Sequence, residues 1–201
     1  GEGEPGYIMA EGGLTKWGQS DLAKKQADAA LAAHCDSVKY QAQTTEALVS
    51  KVVSPYWYDR LKYKELPHDQ LRQLMEYCKQ IGIQGFITAH TDLDLEFLDK
   101  KLNVSFHKVG SGESLNLEFL EHVGACKKPV IMSLGLHVNM DEVKESVAAL
   151  ERGGAHDIIL MHCNTVYPTP SEVIDLSIIS KLKDTFDYPV GYSDHTAGWH
   201  I

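Results

Sequence analysis

The stretch Asp157–Thr196 decides the predicted fold, because it holds two apolar runs that end in reactive residues: Ile158-Ile159-Leu160-Met161-His162-Cys163-Asn164 and Val190-Gly191-Tyr192-Ser193-Asp194-His195-Thr196. Each run has the length of a β-strand, and a helical interval separates them. A buried strand needs no Ser-Asp-His-Thr at its carboxyl end for stability. In parallel α/β folds, ligand chemistry lies at the carboxyl ends of strands. We therefore expect the functional residues at the strand ends.

The composition is that of an ordinary soluble globular protein. The chain has 201 residues, of which 43% are hydrophobic and 23% are charged. No apolar run approaches the roughly 18 residues that a membrane helix needs. The net charge of −9 argues against binding to a nucleic-acid backbone or to an anionic membrane.

The cysteines and the amino terminus indicate a cytoplasmic protein. Four widely spaced cysteines include no Cys-x-x-Cys pair, which favours reduced thiols. The stretch from Gly1 to Gly6 lacks the charged and apolar regions of a signal peptide. It also lacks an initiator Met, so we expect a trimmed or partial end.

Seven predicted strands alternate with helices along the chain. The apolar stripes Leu71, Leu74, Met75, Cys78 and Met140, Val143, Val147, Leu150 each mark one face of a helix. Residues 54–58 are predicted to lie in a long loop. The predicted strands are Tyr7–Ala10, Ser37–Gln41, Gln84–Thr88, Phe106–Val109, Pro129–Ser133, Asp157–Met161 and Val190–Tyr192.

Strict alternation of strands and helices predicts a parallel α/β fold. The sheet is either open and doubly wound or closed as an eight-stranded barrel. A dinucleotide-binding sheet would place Gly-x-Gly-x-x-Gly after the first strand, and Glu11-Gly12-Gly13-Leu14 does not match it. Polar residues end nearly every strand instead of clustering at one switch point. This favours a (β/α)8 TIM barrel that is incomplete, with about seven of its eight strands present.

Two lysines predict a site for a small anion. Lys39 lies in the second strand, with Gln41 on the same face, and Lys108 has the matching place in the fourth strand. Each alone is equally well explained as a surface lysine. Together, and beside the glycine-rich turn Gly110-Ser111-Gly112, they indicate binding of phosphate or carboxylate. We expect both side chains to reach one anion.

A second group of strand-end residues has the chemistry of a metal site. His162 and His195 end the sixth and seventh strands, Asp194 adjoins His195, and Glu11 ends the first strand. Imidazole together with carboxylate and water suits Mn²⁺, Mg²⁺ or Zn²⁺. The alternative is that the histidines are hydrogen-bonded core residues.

Four motifs in this order resemble the N-acetylneuraminate (sialic acid) synthase family, which includes legionaminic and pseudaminic acid synthases. They are Val38-Lys39-Tyr40-Gln41, Lys108-Val109-Gly110-Ser111-Gly112-Glu113, His162-Cys163 followed by Tyr167-Pro168-Thr169-Pro170, and Gly191-Tyr192-Ser193-Asp194-His195-Thr196. The resemblance covers essentially the whole chain. It implies a barrel enzyme that condenses phosphoenolpyruvate with an N-acetylated hexosamine such as N-acetylmannosamine. The products are a nine-carbon keto acid and phosphate, which leaves by C–O cleavage.

The resemblance also implies the role of individual residues. Glu11 is the acidic residue near the reacting sugar, Tyr167 lines the sugar pocket, and His195 is one of two histidines on a divalent metal, Mn²⁺ or Mg²⁺. Phosphoenolpyruvate is held by Lys39, Lys108, Ser111 and Ser193. The remaining substrate-binding positions are Gln41, Glu113, Thr165 and Asp194.

Several positions depart from the family pattern. Thr15-Lys16-Trp17-Gly18 stands where the family has Asn-His-Asn-Gly, Ala89 replaces a Thr, Ser133-Leu134-Gly135 replaces Ser-Thr-Gly, and Thr165 takes the place of an Asn although Asn164 is adjacent. These departures leave the sugar open. The second metal histidine, on strand eight, and the C-terminal antifreeze-like domain are expected beyond Ile201. Residues 1–201 are thus expected to be a truncated barrel domain, inactive alone, of a protein that forms a homodimer at full length.

Two other functions remain open at this point. One is a non-catalytic sugar- or phosphate-binding relative that has lost the first-strand motif. The other is a different divalent-metal-dependent barrel of the aldolase type, in which a lysine would form a Schiff base with the substrate.

Overall fold

The computed structural model describes residue 3 and residues 5–198, which form two compact units. The first unit ends at Val104 and the second begins at Ser105. Within the described residues seven strands alternate with helices, as the sequence predicts. No helix in this part of the chain combines the length and the apolar character needed to cross a membrane.

The first unit contains three neighbouring parallel strands. Their order in the sheet follows their order in the chain. The strands are β1 Met9–Gly13, β2 Ser37–Ala42 and β3 Gln84–Ala89, and the helices are α1 Ser20–Ala32, α2 Thr45–Leu48, α3 Pro55–Lys64, α4 His68–Ile81 and α5 Asp92–Glu96, which continues as a π-helix over Phe97–Lys101.

Helices α1 and α4 contribute small and large apolar residues, respectively, to the core of the first unit. Helix α1 buries three alanines, Ala23, Ala27 and Ala30, which let it pack closely. Helix α4 buries Leu71, Leu74 and Cys78, so the predicted stripe is confirmed, although Met75 is only half-buried. Burial of such a stripe is the main stabilising contribution of an amphipathic helix.

Residues 54–58 are not a loop, and this prediction was wrong. Ser54 is the N-cap residue of helix α3 and residues 55–58 begin the helix, with Pro55 in the first turn, where its missing N–H costs nothing. None of the residues of α3 is buried. The segment therefore lacks the apolar stripe by which a helix is recognised from sequence.

Strand β1 extends further than predicted and contains an irregularity in its register. Glu11 lies opposite Lys39 and Gly13 lies opposite Tyr40, so Gly12 is an extra residue in β1. A Cβ on Gly12 would lie 2.7 Å from Cε1 of Tyr40, which explains why glycine is needed there. A bulge of this kind changes the direction of the neighbouring side chain, here that of Glu11.

The second unit contains four neighbouring parallel strands. Strand β7 is only half-buried along its length. The strands are β4 His107–Val109, β5 Val130–Ser133, β6 Ile158–Cys163 and β7 Val190–Ser193, and the helices are α6 Leu117–Ala125, α7 Met140–Gly153, a 3-10 turn at Ser171–Val173 and α8 Ser177–Thr185.

Helices α6 and α7 approach each other at two glycines. A Cβ on Gly124 would lie 2.3 Å from the carbonyl oxygen of Leu150, and one on Gly153 would lie 2.3 Å from that of Glu121. Asn139 caps α7 by accepting hydrogen bonds from two backbone N–H groups in its first turn. The predicted stripe of α7 is confirmed at its three buried positions, Val143, Val147 and Leu150.

Candidate functional site

The central feature of the first unit is an ion pair between Glu11 and Lys39. The two residues face each other in the register of β1 and β2. Lys39 is 8% exposed, and its ammonium group also donates a hydrogen bond to Oγ1 of Thr88 at 3.3 Å. The side chain of Glu11 is 51% exposed. A buried ammonium group therefore lies beside a carboxylate that water reaches.

Lys16 is a second buried cation in the first unit, and its side chain has no exposed surface. Its ammonium group donates hydrogen bonds to the carbonyl oxygens of Gly13, at 3.0 Å, and of Gln41, at 3.5 Å. Burial lowers the pKa of Lys16 to about 8, while nearby Glu11 acts in the opposite direction. The side chain of Gln41 is half-buried.

In the second unit, Lys108 is buried to the same extent as Lys39. It is 8% exposed, and its ammonium group donates to Oγ of Ser133 at 2.6 Å and to the carbonyl oxygen of Val109 at 2.7 Å. These acceptors are neutral. A hydroxyl group and a carbonyl group thus help to hold the ammonium group of Lys108 in place.

Three side chains, those of Ser111, Cys163 and Thr165, surround Gly135 in the turn after β5. Oγ of Ser111 accepts a hydrogen bond from the backbone N–H of Gly135 at 3.0 Å and lies 3.4 Å from Sγ of Cys163. Oγ1 of Thr165 donates to the carbonyl oxygen of Gly135 at 3.0 Å. A Cβ on residue 135 would meet all three side chains within 2.9 Å. The cluster is therefore tightly packed.

His195 is held in an orientation that suits a metal ligand. Its Nδ1 donates to the carbonyl oxygen of Asn164, so in the neutral ring Nε2 carries the lone pair. Nε2 lies 3.4 Å from Oγ of Ser193, and the ring of Tyr167 packs at 4.3 Å between centroids. A ring N–H bonded to a backbone carbonyl is the usual support of a metal-binding histidine. His195 therefore fits a divalent cation through Nε2.

Asp194 stabilises the turn in which it lies. Its carboxylate accepts hydrogen bonds from the N–H and the hydroxyl of Thr196, both at 2.9 Å, and the N–H bond is the main reason why the pKa of Asp194 lies below its ordinary value. Burial, with Asp194 as a second cause, raises the pKa of Tyr192. Glu113 is half-buried in the turn that follows β4, where its N–H donates to the carbonyl oxygen of Gly110.

His162 borders a pocket of about 370 Å³ in the second unit. The pocket lies near the carboxyl ends of β5 and β6, and Leu134, Val143 and Leu182 contribute to its apolar wall. Burial lowers the pKa of His162. Within the described residues, its buried Nε2 has no hydrogen-bond partner. The ring thus favours the neutral form.

Each unit brings together part of the predicted site. In the first unit, Glu11 contacts Lys39. In the second unit, Ser111 and Thr165 both hydrogen-bond to the backbone of Gly135, and Ser193 lies beside His195. Sequence reasoning missed the roles of Lys16, Ser133 and Cys163. The departure at position 16 was visible in the sequence, but nothing local indicated that the lysine would be buried.

Comparisons with known proteins agree with the four motifs. A model described as the NeuB family matches residues 27–201. An uncharacterized protein of Methanocaldococcus jannaschii is 42% identical over 98% of this chain and 58% of its own length. The N,N'-diacetyllegionaminic acid synthase of Campylobacter jejuni is 33% identical over 96% of this chain and 62% of its own length. The chain thus spans about six-tenths of these curated relatives.

A solved structure extends the likeness to the fold. The N-acetylneuraminic acid synthetase of Leptospira borgpetersenii, in complex with citrate, has a TM-score of 0.92 and 29% identity, over 98% of this chain and 68% of that one. The match confirms the predicted α/β fold of the TIM-barrel class, with seven strands among the described residues. The chain belongs to the NeuB family, the sialic-acid-type synthase family that its motifs predict.

Proposed function

We propose that the protein condenses phosphoenolpyruvate with an N-acetylated hexosamine, such as N-acetylmannosamine, to give a nine-carbon 2-keto sugar acid and phosphate. The chain at hand would supply the barrel domain of this enzyme. C3 of phosphoenolpyruvate bonds to the aldehyde carbon of the sugar. Water supplies the oxygen of the new keto group, and phosphate leaves with the bridging oxygen.

The observation that carries this proposal is the burial of two lysines at predicted anion-binding positions. Lys39 and Lys108 are each only 8% exposed in a chain of net charge −9. Buried ammonium groups held in place at these two positions offer positive charge to a multiply charged anion such as phosphoenolpyruvate, which would compete with Glu11 for Lys39. The relative from Leptospira borgpetersenii is in complex with citrate, another multiply charged anion.

The proposal assigns separate tasks to the residues of the two units. In the first, Lys39 binds the anion and Glu11 acts as the acidic residue near the reacting sugar, with Gln41 among the substrate-binding positions. In the second, Lys108, Ser111 and Ser193 bind the anion. Residues assigned to substrate binding also include Glu113, Thr165, Asp194 and Tyr167, the last lining the sugar pocket.

His195 is assigned to a divalent cation, Mn²⁺ or Mg²⁺, through the lone pair on Nε2. When bound, such a cation would polarise the carbonyl oxygen of the sugar. The hydrogen bond from Nδ1 to the carbonyl oxygen of Asn164 fixes the tautomer that leaves Nε2 available. The ring of Tyr167, 70% exposed beside His195, offers a flat surface for the sugar.

The test is a coupled assay of phosphate release with the protein of the full reading frame and with residues 1–201 beside it. We expect the long form, given Mn²⁺ or Mg²⁺, to release phosphate only when both substrates are present. The short form alone should show no turnover, and the long form should be a homodimer. Equal turnover from both forms would contradict the proposed domain limits. Trapping of a pyruvate adduct by borohydride would favour the aldolase-type alternative.

A further inference from the structure

Lys16 is a buried cation that the family motif does not explain. The residue has no exposed surface, and its ammonium group contacts carbonyl oxygens on two elements, Gly13 at the end of β1 and Gln41 in β2. An ammonium group removed from water needs such partners, because leaving it without hydrogen bonds is costly. The glycine pair Gly12-Gly13 stands shortly before it, separated from it by Leu14 and Thr15. The lysine therefore joins the turn after β1 to the neighbouring strand.

The turn depends on this contact for its shape. Gly13 has a φ of +49°, in the left-handed region, and Gly12 is the extra residue of the bulge. Glycine pairs lose more conformational freedom on folding than other residues, so the turn needs a fixed point. The hydrogen bond from Lys16 to the carbonyl oxygen of Gly13 provides one. Because Glu11 directly precedes the bulge, its direction depends on the same contact.

The charges around Lys16 explain a second role. Glu11 on β1, Lys39 on β2 and Lys64 at the end of α3 are the charged groups that act on it. Lys64 itself lies 4.7 Å from the ring centroid of Trp17. Glu11 neutralises Lys39 in their ion pair, so these two residues alone carry no net charge. With Lys16 protonated, the group of three is positive.

We propose that Lys16 is a positioning residue for anion binding: its buried ammonium group fixes the turn that carries Glu11 and keeps the surroundings of Lys39 positive. This rests on the proposed function, in which Lys39 binds phosphoenolpyruvate. Lys16 itself has no exposed surface and does not touch the anion. It acts through Glu11 and Lys39.

The first measurement is the affinity of the protein for phosphoenolpyruvate and for inorganic phosphate, by titration calorimetry. Lys16→Met removes the charge and keeps the length, and should weaken binding about fivefold near pH 7, the low end of couplings between sites. Lys16→Arg should retain most of the affinity. Lys64→Met is the matched control, since Lys64 acts on the same group as a charge, whereas the hydrogen bonds to the carbonyl oxygens of Gly13 and Gln41 come from Lys16.

The pH dependence of the affinity shows whether Lys16 acts through its charge or only by filling space in the core. The affinity of the wild type and of Lys64→Met should fall between about pH 7 and about pH 9, as Lys16 loses its proton. Lys16→Met should lack this fall. Should both lysine variants misfold, NMR titration of the wild-type lysine side-chain signals still tests the proposal. One lysine should then titrate near pH 8, and inorganic phosphate should raise its apparent pKa.

The outcomes distinguish this inference from the proposed function. If the wild type binds phosphoenolpyruvate and Lys16→Met binds it equally well with the same pH profile, only the inference is wrong. If phosphate binds and depends on Lys16 but phosphoenolpyruvate does not bind, the proposed function is wrong and the inference stands. If neither anion binds, both are wrong. All lysines titrating in the ordinary range, with no response to phosphate, would also overturn the inference.

Discussion

The carboxylate of Glu11 forms an ion pair with the ammonium group of Lys39, the residue directly opposite it in the register of β1 and β2. In the proposed function these two groups serve different substrates, since Lys39 binds the anion and Glu11 faces the sugar. Their pairing therefore means that an arriving anion competes with Glu11 for Lys39. The side chain of Glu11 is half exposed, so water can solvate its carboxylate when the anion takes its place, while the backbone of the turn stays fixed. Lys39 is buried and stays.

Glu11→Gln tests this competition. The amide keeps the shape but not the charge, so phosphoenolpyruvate should bind more tightly, by roughly two- to fivefold. Turnover with the sugar should fall at the same time, because the proposed acidic residue is lost. Calorimetry gives the first quantity and phosphate release by the full-length protein the second. Weaker binding of phosphoenolpyruvate would contradict the account of the ion pair.

Lys108→Met tests the anion role in the second unit. Lys108 is held by the hydroxyl of Ser133 and the carbonyl oxygen of Val109, neither of which is charged. Its loss should raise the KM for phosphoenolpyruvate by about tenfold or more, and the KM for the sugar much less. Lys181→Met, at an exposed position of α8, is the control and should change neither. Equal effects on both substrates would argue against a dedicated anion site.

The order and the type of the elements were predictable because periodicity is a local signal. The buried faces of α4 and α7 follow directly from the spacing of their apolar residues. Helix α3 was missed because it buries nothing, so Tyr56 and Trp57 gave no stripe. Strand β1 was placed too early because glycine is expected to end a strand. Here Gly12 extends it through a bulge beside the ring of Tyr40.

Residues of the candidate site could be proposed from the sequence where motifs contain them, and not where their placement depends on distant contacts. Lys39, Lys108 and His195 stand in stretches that resemble the family. Lys16 looks like a surface residue in the sequence, because lysine is rarely buried. Its burial depends on the carbonyl oxygen of Gln41, 25 positions away in the chain. No local pattern contains that information.

The stability of the fold should depend on pH through His137 and His162. Burial lowers the pKa of both rings in the folded state, so below about pH 6.5 the unfolded chain binds protons that the folded chain does not. The free energy of unfolding should therefore decrease as the pH falls through this region. Urea titrations of the His137→Gln, His162→Gln double variant should show a smaller decrease.

The exposed His156 provides the control for that experiment. His156→Gln should keep the wild-type dependence on pH, since the carboxylates that also titrate in acid are the same in all three proteins. If the double variant loses stability as steeply as the wild type, the two buried rings do not account for the acid sensitivity.

Gly124→Ala should destabilise the packing of α6 against α7. The added Cβ would lie 2.3 Å from the carbonyl oxygen of Leu150, and a backbone atom cannot move aside at low cost. We expect the free energy of unfolding to fall by about 2–3 kcal/mol. Gly112→Ala is the control, because a Cβ there meets nothing within 4 Å. Similar stability of the two variants would mean that the helices separate easily.

The proposed reaction joins phosphoenolpyruvate to an N-acetylated hexosamine with cleavage of the C–O bond. The most direct measurement uses phosphoenolpyruvate with a heavy oxygen isotope in the bridging position. The full-length protein, N-acetylmannosamine and Mn²⁺ are added, and the phosphate is examined by phosphorus NMR. The proposed reaction should release phosphate that carries the heavy oxygen, and only when an N-acetylated hexosamine is present. Phosphate without the label, or released equally without the sugar, would contradict it.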